Sequence, residues 1–103
     1  MSGFSVKWLP EASRELIDYA ESNSPTSGRV AGDIYEFISC ISQTSVDNLD
    51  VVDPSEATVF RWEISDVTTY MNIENNLITV LHLAQTGTFS QREKSIRMAL
   101  SRI

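Results

Sequence analysis

The stretch "VKWLPEASRELIDYAES", Val6 to Ser22, joins a short apolar segment to a helical pattern through a proline. Its first residues alternate as in a strand, with Val6 and Trp8 on one face and Lys7 on the other. Pro10 suits the first position of a helix, because its missing N–H would have no partner there. The stretch therefore predicts a strand near residues 4–9 and then a helix to about Ser22. The predicted buried face of that helix consists of Ala12, Leu16, Ile17 and Ala20.

A second helix is predicted from about Ser27 to Gln43, after a break at Pro25. The short connection between the two helices favours an antiparallel helical hairpin. The apolar stripe of the second helix consists of Val30, Ile34, Phe37, Ile38 and Ile41, and Cys40 beside it is interpreted as buried. Residues 44–57 have no regular period and are predicted to form a loop, with one irregular strand around residues 49–52.

The period then changes from 3.6 residues to 2, which predicts strands at residues 58–64, 67–74 and 77–84. In the middle strand Tyr70 alternates with the apolar positions, so it is predicted on the more exposed face. Trp8 and Trp62 are interpreted as core residues. A last helix is predicted over about residues 90–103, with Ser90 and Glu93 as a capping box and a buried face of Ile96, Leu100 and Ile103.

These elements give the order β-α-α-β-β-β-α in one domain of 103 residues. The sequence thus predicts an α+β fold in which the helical hairpin covers one face of an antiparallel sheet.

Composition and charge exclude several classes of protein. Hydrophobic residues make up 42% of the chain and no apolar run is long enough to cross a membrane. The N-terminal residues lack the pattern of a signal peptide, and a single cysteine allows no internal disulfide, so we expect a cytoplasmic protein. The net charge of −6 makes direct nucleic-acid binding by the whole surface improbable.

Three residues are weak candidates for catalysis, and each also has a structural interpretation. Arg61 could contact a phosphate or a partner, although a single arginine on a strand is more often solvated or ion-paired. His82 has apolar neighbours and is more often a core histidine with a hydrogen-bond partner. Tyr70 could stack on a base or cover the sheet.

Nothing in the sequence indicates a cofactor or a metal site. The acidic series in the predicted loop does not have EF-hand spacing and contains no glycine. One histidine and one cysteine are too few for a typical transition-metal site, and there is no glycine-rich phosphate loop. The acidic series comprises Asp47, Asp50, Asp53 and Glu56.

The last helix is basic, although residues 1–88 contain thirteen acidic residues and only four basic ones. Its basic residues could bind an acidic partner, or they could offset the acidic body while the apolar face docks on the sheet. They are Arg92, Lys94, Arg97 and Arg102.

The opening stretch and the later segment "VTTYMNIENNLITVLHL" resemble the RelE/ParE superfamily of bacterial toxins, which belong to type II toxin–antitoxin systems and are associated with plasmid stabilisation. The resemblance covers residues 4–84. It implies the α+β fold of that family, a cognate antitoxin as partner, and DNA gyrase or the ribosome as target. This chain departs from the family in its acidity. It also has Thr68 where the family often has an arginine, and Leu83, Ala84 and Gln85 where the family often has basic residues.

Three functions remain open at this point. The first is a ParE-like toxin that inhibits its target by binding; the second is a RelE-like, ribosome-dependent mRNA endonuclease. The third is a non-toxic binding module of the same fold. The scarcity of catalytic groups favours the first. Its antitoxin is expected to place an extended or helical segment across the sheet or the helical hairpin, and that segment is expected to be less acidic than this chain, or basic.

Overall fold

Nine helices and strands follow one another in the part of the chain that the computed structural model describes, residues 4–22, 25–53, 56–87 and 89–103. Their bounds are β1 Ser5–Trp8, α1 Pro10–Ala20, α2 Ser27–Ser39, α3 Gln43–Asp47, β2 Asp50–Asp53, β3 Glu56–Ile64, β4 Val67–Glu74, β5 Leu77–Gln85 and α4 Phe89–Ser101.

The five strands form one sheet in the order β1-β5-β4-β3-β2. The pairs from β2 to β5 are antiparallel, but β1 lies parallel to β5, with Val6 opposite Ile78. The sheet is therefore mixed, which corrects the purely antiparallel sheet predicted from the sequence. Parallel strands need a long connection, and here three helices, α1 to α3, and three strands, β2 to β4, lie between β1 and β5 in the chain.

The α+β class is confirmed, but the predicted loop over residues 44–57 is wrong. Its described part contains most of the short helix α3 and the strand β2, whose position is close to the irregular strand that was expected, and residues 54–55 lie outside the described residues. The Ser45 N–H donates to Ser42 Oγ at 3.3 Å, which caps α3. A five-residue helix is too short to show a period, so only this cap could have predicted it.

The last helix also starts differently from the prediction. α4 begins at Phe89, so Ser90 lies inside the helix and the predicted capping box is wrong. Asn75 and Asn76 form the turn between β4 and β5, where both residues have positive φ, 52° and 65°.

The core has two layers, one on each face of the sheet. α1 and α2 cover the larger layer, in which Ile34 and Ile38 are fully buried against strand residues such as Met71, Ile78 and Val80. Each such side chain stabilises the fold by about 1.5–3 kcal/mol. α4 covers the smaller layer, which contains Val59, Tyr70, Leu81 and Ala99. None of the described helices has the length and the apolar character that a membrane span requires.

Several residues predicted to be buried are exposed instead. Ile17 is 55% exposed, because the buried side of α1 is narrower than its apolar pattern suggests. Cys40 follows the last residue of α2 and is exposed, and Ile103 lies beyond the end of α4. Trp8 and Trp62 pack against the core but stay partly exposed.

Two aromatic pairs tie α2 to the sheet. The rings of Phe37 and Trp62 are nearly parallel, with centroids 3.8 Å apart. Tyr35 stacks on Trp8 at 5.9 Å. Each pair covers part of a tryptophan ring with an aromatic side chain of α2, although neither tryptophan is fully buried.

Candidate functional site

The three catalytic candidates lie in one row across the sheet. In the antiparallel register Arg61 of β3 is opposite Tyr70 of β4, and Tyr70 is opposite His82 of β5. The Tyr70 and His82 rings stack, with centroids 5.9 Å apart and planes 15° from parallel. Sequence spacing alone could not show this arrangement, because it depends on which strands are neighbours.

His82 is held by a carboxylate from the helical hairpin. It is 9% exposed, and its Nδ1 donates to Glu15 Oε2 at 2.9 Å. The Leu83 N–H donates to the other oxygen of Glu15 at 3.1 Å. The register of β5 shifts at this point, since Tyr70 pairs with His82 but Met71 pairs with Val80. Glu15 therefore supplies an acceptor for backbone that the irregular ladder exposes.

Arg102 completes this cluster. Its Nη1 donates to Glu15 Oε1 at 3.1 Å and to the Leu81 carbonyl oxygen at 2.9 Å. The cluster joins α1, β5 and the residue that follows α4, and we call Glu15, His82 and Arg102 the Glu15 clamp. The structural interpretation of His82 as a partnered core histidine agrees with this geometry.

Tyr70 is 2% exposed, so its predicted position on the exposed face is wrong. That face is covered by α4, whose Ala99 packs in the same layer. Burial raises the pKa of the Tyr70 hydroxyl above its ordinary value of 10.0. Arg61 opposes this shift, Glu63 adds to it and Arg92 opposes it. The hydroxyl thus stays protonated at neutral pH.

The four basic residues that the sequence places in the last helix do not share one environment. Lys94 and Arg97 are exposed, whereas Arg92 is half-buried near Tyr70. Arg102 is engaged in the Glu15 clamp, which corrects its assignment to a free partner-binding surface.

Thr68, the position at which the resemblance leads us to expect an arginine, is buried. Its hydroxyl shares a hydrogen bond of 2.8 Å with Thr86 and donates to Glu63 at 3.4 Å. Thr68 therefore places a neutral, hydrogen-bonded side chain where an arginine would have provided a positive charge. Arg61 and Arg92 are the arginines near the row that have no ion pair within the described residues.

The row presents a positive charge at Arg61 but offers little for proton transfer. Arginine side chains stabilise negative charge, whereas general acid–base catalysis needs a group near the substrate whose proton is free to move. His82 and Tyr70 are both engaged or covered. In the described part of the chain, no group of three metal-ligating side chains converges. The side chains of Asp53 and Glu56, two of the acidic series, lie outside the described residues.

Glu15 is the important residue that sequence reasoning missed. It lies at helical spacing from Ala12 and Tyr19, two residues of the side of α1 that packs on the core. A carboxylate within an apolar helix face is a usable signal, because such a charge needs a partner. The partner itself could not be deduced, since Arg102 lies 87 residues away in the chain.

A second exposed surface lies on the helical hairpin. Ile17 and Tyr35, which is 57% exposed, line a groove with Trp8, Ser13 and Leu16. We call these five residues the hairpin groove. Large apolar side chains that remain exposed together are typical of protein–protein contact surfaces.

Solved structures share this fold, although neither a protein-family model nor a curated protein matches the sequence. One is a chain in the crystal structure of the toxin–antitoxin complex RelBE2 from Mycobacterium tuberculosis, with 16% identity and a TM-score of 0.59. The match covers 82% of this chain and 93% of that chain. Another is a chain of the chromosomal ParDE system from P. aeruginosa, with 14% identity, a TM-score of 0.62, and coverage of 84% and 100%. The fold predicted from the resemblance is confirmed, since chains of both toxin–antitoxin systems share it.

Proposed function

We propose that this chain is the toxin of a type II toxin–antitoxin pair and inhibits its target by binding, in the manner of ParE toxins that act on DNA gyrase. The fold it shares with chains of the RelBE2 and ParDE complexes supports the toxin assignment. One observation favours binding over catalysis: His82, the single histidine of the sequence, is buried in β5 and hydrogen-bonded to Glu15.

The other groups in the row support the same choice. An mRNA endonuclease needs cations around the scissile phosphate and side chains that exchange protons with it. Tyr70 is covered by α4, and its pKa is raised by burial. Thr68 provides no charge at the position where the family often has an arginine. A protein that inhibits by occupying a surface needs none of these groups.

The target-binding surface in this proposal is the exposed side of α4. Lys94 and Arg97 are exposed there, and Arg92 lies closer to the sheet. They form the basic part of an otherwise acidic molecule, so they can attract an acidic surface on the target. Arg102 is left out because it is bound to Glu15.

The antitoxin is proposed to occupy the hairpin groove. Its exposed apolar side chains can receive an extended or helical segment. The surface of α1 beside the groove shares Ile17 with it and carries three exposed charged residues, Arg14, Asp18 and Glu21, with a net charge of −1. A basic contact segment would therefore complement the chain better than an acidic one.

Growth of bacteria after tightly controlled induction of this chain tests the proposal. We expect growth arrest, with altered DNA supercoiling and intact mRNA in the arrested cells. Tyr70→Phe is expected to arrest growth as well, because it removes only a hydroxyl that binding does not use. Lys94→Glu combined with Arg97→Glu should weaken the arrest.

Two results would contradict the proposal. Rapid mRNA cleavage that is lost in Tyr70→Phe would favour the endonuclease. Normal growth with soluble, folded protein would favour the non-toxic binding module, which the acidity of the chain also fits.

A further inference from the structure

A cleft separates the second half of α1 from the adjoining ends of β4 and β5. Its volume is about 310 Å³. The floor consists of Val67, Leu83 and Ala84, of which Val67 and Leu83 are buried. Glu15, Asp18, Tyr19, Ser22 and Gln85 form the walls and the rim. We call it the α1–β5 cleft, and it is distinct from the hairpin groove on the other side of α1.

The walls of the cleft are acidic, and no basic side chain lines it among the described residues. The charge of Glu15 is compensated by its ion pair with Arg102. Asp18 is exposed and has no hydrogen bond or ion pair within the described part of the chain. The cleft thus combines an apolar floor with a carboxylate at its mouth that forms no ion pair within the described residues, although Arg14, one helical turn away, lines a neighbouring depression with it.

Asp66 adds a further negative charge at one end. Tyr19 donates its hydroxyl hydrogen to Asp66 Oδ1 at 2.8 Å, and Gln85 Nε2 donates to Oδ2 at 3.2 Å. Desolvation and this hydrogen bond both raise the pKa of Tyr19, so its hydroxyl remains a neutral donor. Tyr19 and Gln85 together fix the Asp66 carboxylate beside the cleft.

We infer that the α1–β5 cleft receives an arginine or lysine side chain of the partner protein. The aliphatic stem of such a residue would lie on Val67, Leu83 and Ala84, and its cationic head would reach Asp18 and Asp66. This inference rests on the proposed function in taking the antitoxin as that partner. The α1–β5 cleft and the hairpin groove flank the same helix, so this side chain adds a specific contact to those that the antitoxin makes in the groove.

Other cations fit the cleft less well. A metal ion needs several ligands that converge, and the described residues form no such group. A free diamine would leave one of its two charges over the apolar floor. A side chain with one charged end and an apolar stem matches both parts of the cleft.

The test uses two short peptides and the purified chain. Acetyl-Gly-Arg-Gly-amide is titrated at low ionic strength while the backbone amide signals are followed by NMR. Its control is the same peptide with citrulline in place of arginine, which keeps the shape and removes the charge. We expect the arginine peptide to shift the signals of Tyr19, Ala84 and Gln85, and the citrulline peptide to bind about fivefold more weakly or not at all.

Two variants locate the site. Asp18→Asn is expected to weaken binding of the arginine peptide about fivefold, since it removes the exposed carboxylate at the mouth. Asp33→Asn is the matched control, because Asp33 is also an exposed helical aspartate but lies on α2, away from the cleft. Both substitutions are at exposed positions, and an unchanged NMR spectrum outside the mutated turn verifies the fold.

Three results would overturn the inference: equal binding of the two peptides, an equal effect of the two variants, or binding of putrescine or Mg²⁺ to the same residues as tightly as the arginine peptide. The result is separate from that of the growth experiment. A chain that arrests growth but binds no peptide loses only this inference, whereas one that binds the peptide without toxicity loses the proposed function.

Discussion

Replacing Glu15 with alanine should destabilise this protein more than replacing any exposed acidic residue of the same helix. The Glu15 carboxylate accepts from His82, the Leu83 N–H and Arg102, over distances of 2.9, 3.1 and 3.1 Å. Alanine would leave all three donors without that acceptor. Two of them come from β5 and the third from beyond α4, so one substitution loosens three parts of the fold.

The size of the effect follows from how buried each partner is. The Leu83 N–H lies in a buried part of β5, and an unpaired buried donor costs about 1–3 kcal/mol. Arg102 and Glu15 keep part of their side chains in water, 16% and 25% exposed, so their ion pair contributes only about 1 kcal/mol. The sum is a loss of about 2–4 kcal/mol in the free energy of unfolding. For a chain of this length it corresponds to a Tm lower by about 10–20 °C.

Urea unfolding and thermal denaturation, both followed by circular dichroism, measure this change. Glu15→Gln should lose less, about 1 kcal/mol, because the amide oxygen can still accept from Leu83. Asp18→Ala is the control on the same helix, and we expect it to stay within about 0.5 kcal/mol of the parent chain. If Glu15→Ala is no less stable than Asp18→Ala, the clamp does not hold the fold together and the reasoning is wrong.

Three further outcomes are expected. Phe37→Ala, which removes the stack on Trp62, should cost about 1–3 kcal/mol in urea unfolding, and a loss no larger than that of an exposed alanine substitution would contradict the role of the stack. Cys40 is exposed and should react with Ellman's reagent in the native protein as fast as in urea, while strong protection would show that it is buried. The raised pKa of Tyr70 means that the native state favours the neutral hydroxyl, so its contribution to stability is complete below the unfolded value of about 10 and is lost as the pH rises through the folded value. Stability should therefore fall above about pH 10, and less steeply in Tyr70→Phe; identical slopes for the two proteins would refute this assignment.

Much of the fold follows from the sequence because the elements have clear periods. Pro10 marks the start of α1, and the two asparagines at 75–76 mark the turn between β4 and β5. The short helix α3 and the strand β2 lack a period of their own, since they are four or five residues long. Their presence depends on tertiary contacts, such as the burial of Val46 and Leu49 against the core.

The site was less accessible to sequence reasoning. Arg61, Tyr70 and His82 could be named as candidates, but their common row depends on strand pairing. Tyr70 alternates with apolar neighbours and so resembled a surface residue, because the pattern cannot show that α4 covers the second face. Arg102 seemed free for the same reason: its partner Glu15 is distant in the chain and is brought close only by the complete fold.

The parallel pair of β1 and β5 has a consequence for how the molecule folds. The pairing of residues 5–8 with residues 77–80 joins two segments that are far apart in the chain, so this contact closes a long loop. Pairs of such high contact order form slowly, whereas the β3-β4-β5 meander is local and can form early. During synthesis, α1 and α2 are made before the strands on which their apolar faces pack. A chain interrupted before residue 77 would have neither the partner of β1 nor most of the floor of the α1–β5 cleft. The molecule is therefore expected to acquire its binding surfaces together and late, rather than one by one.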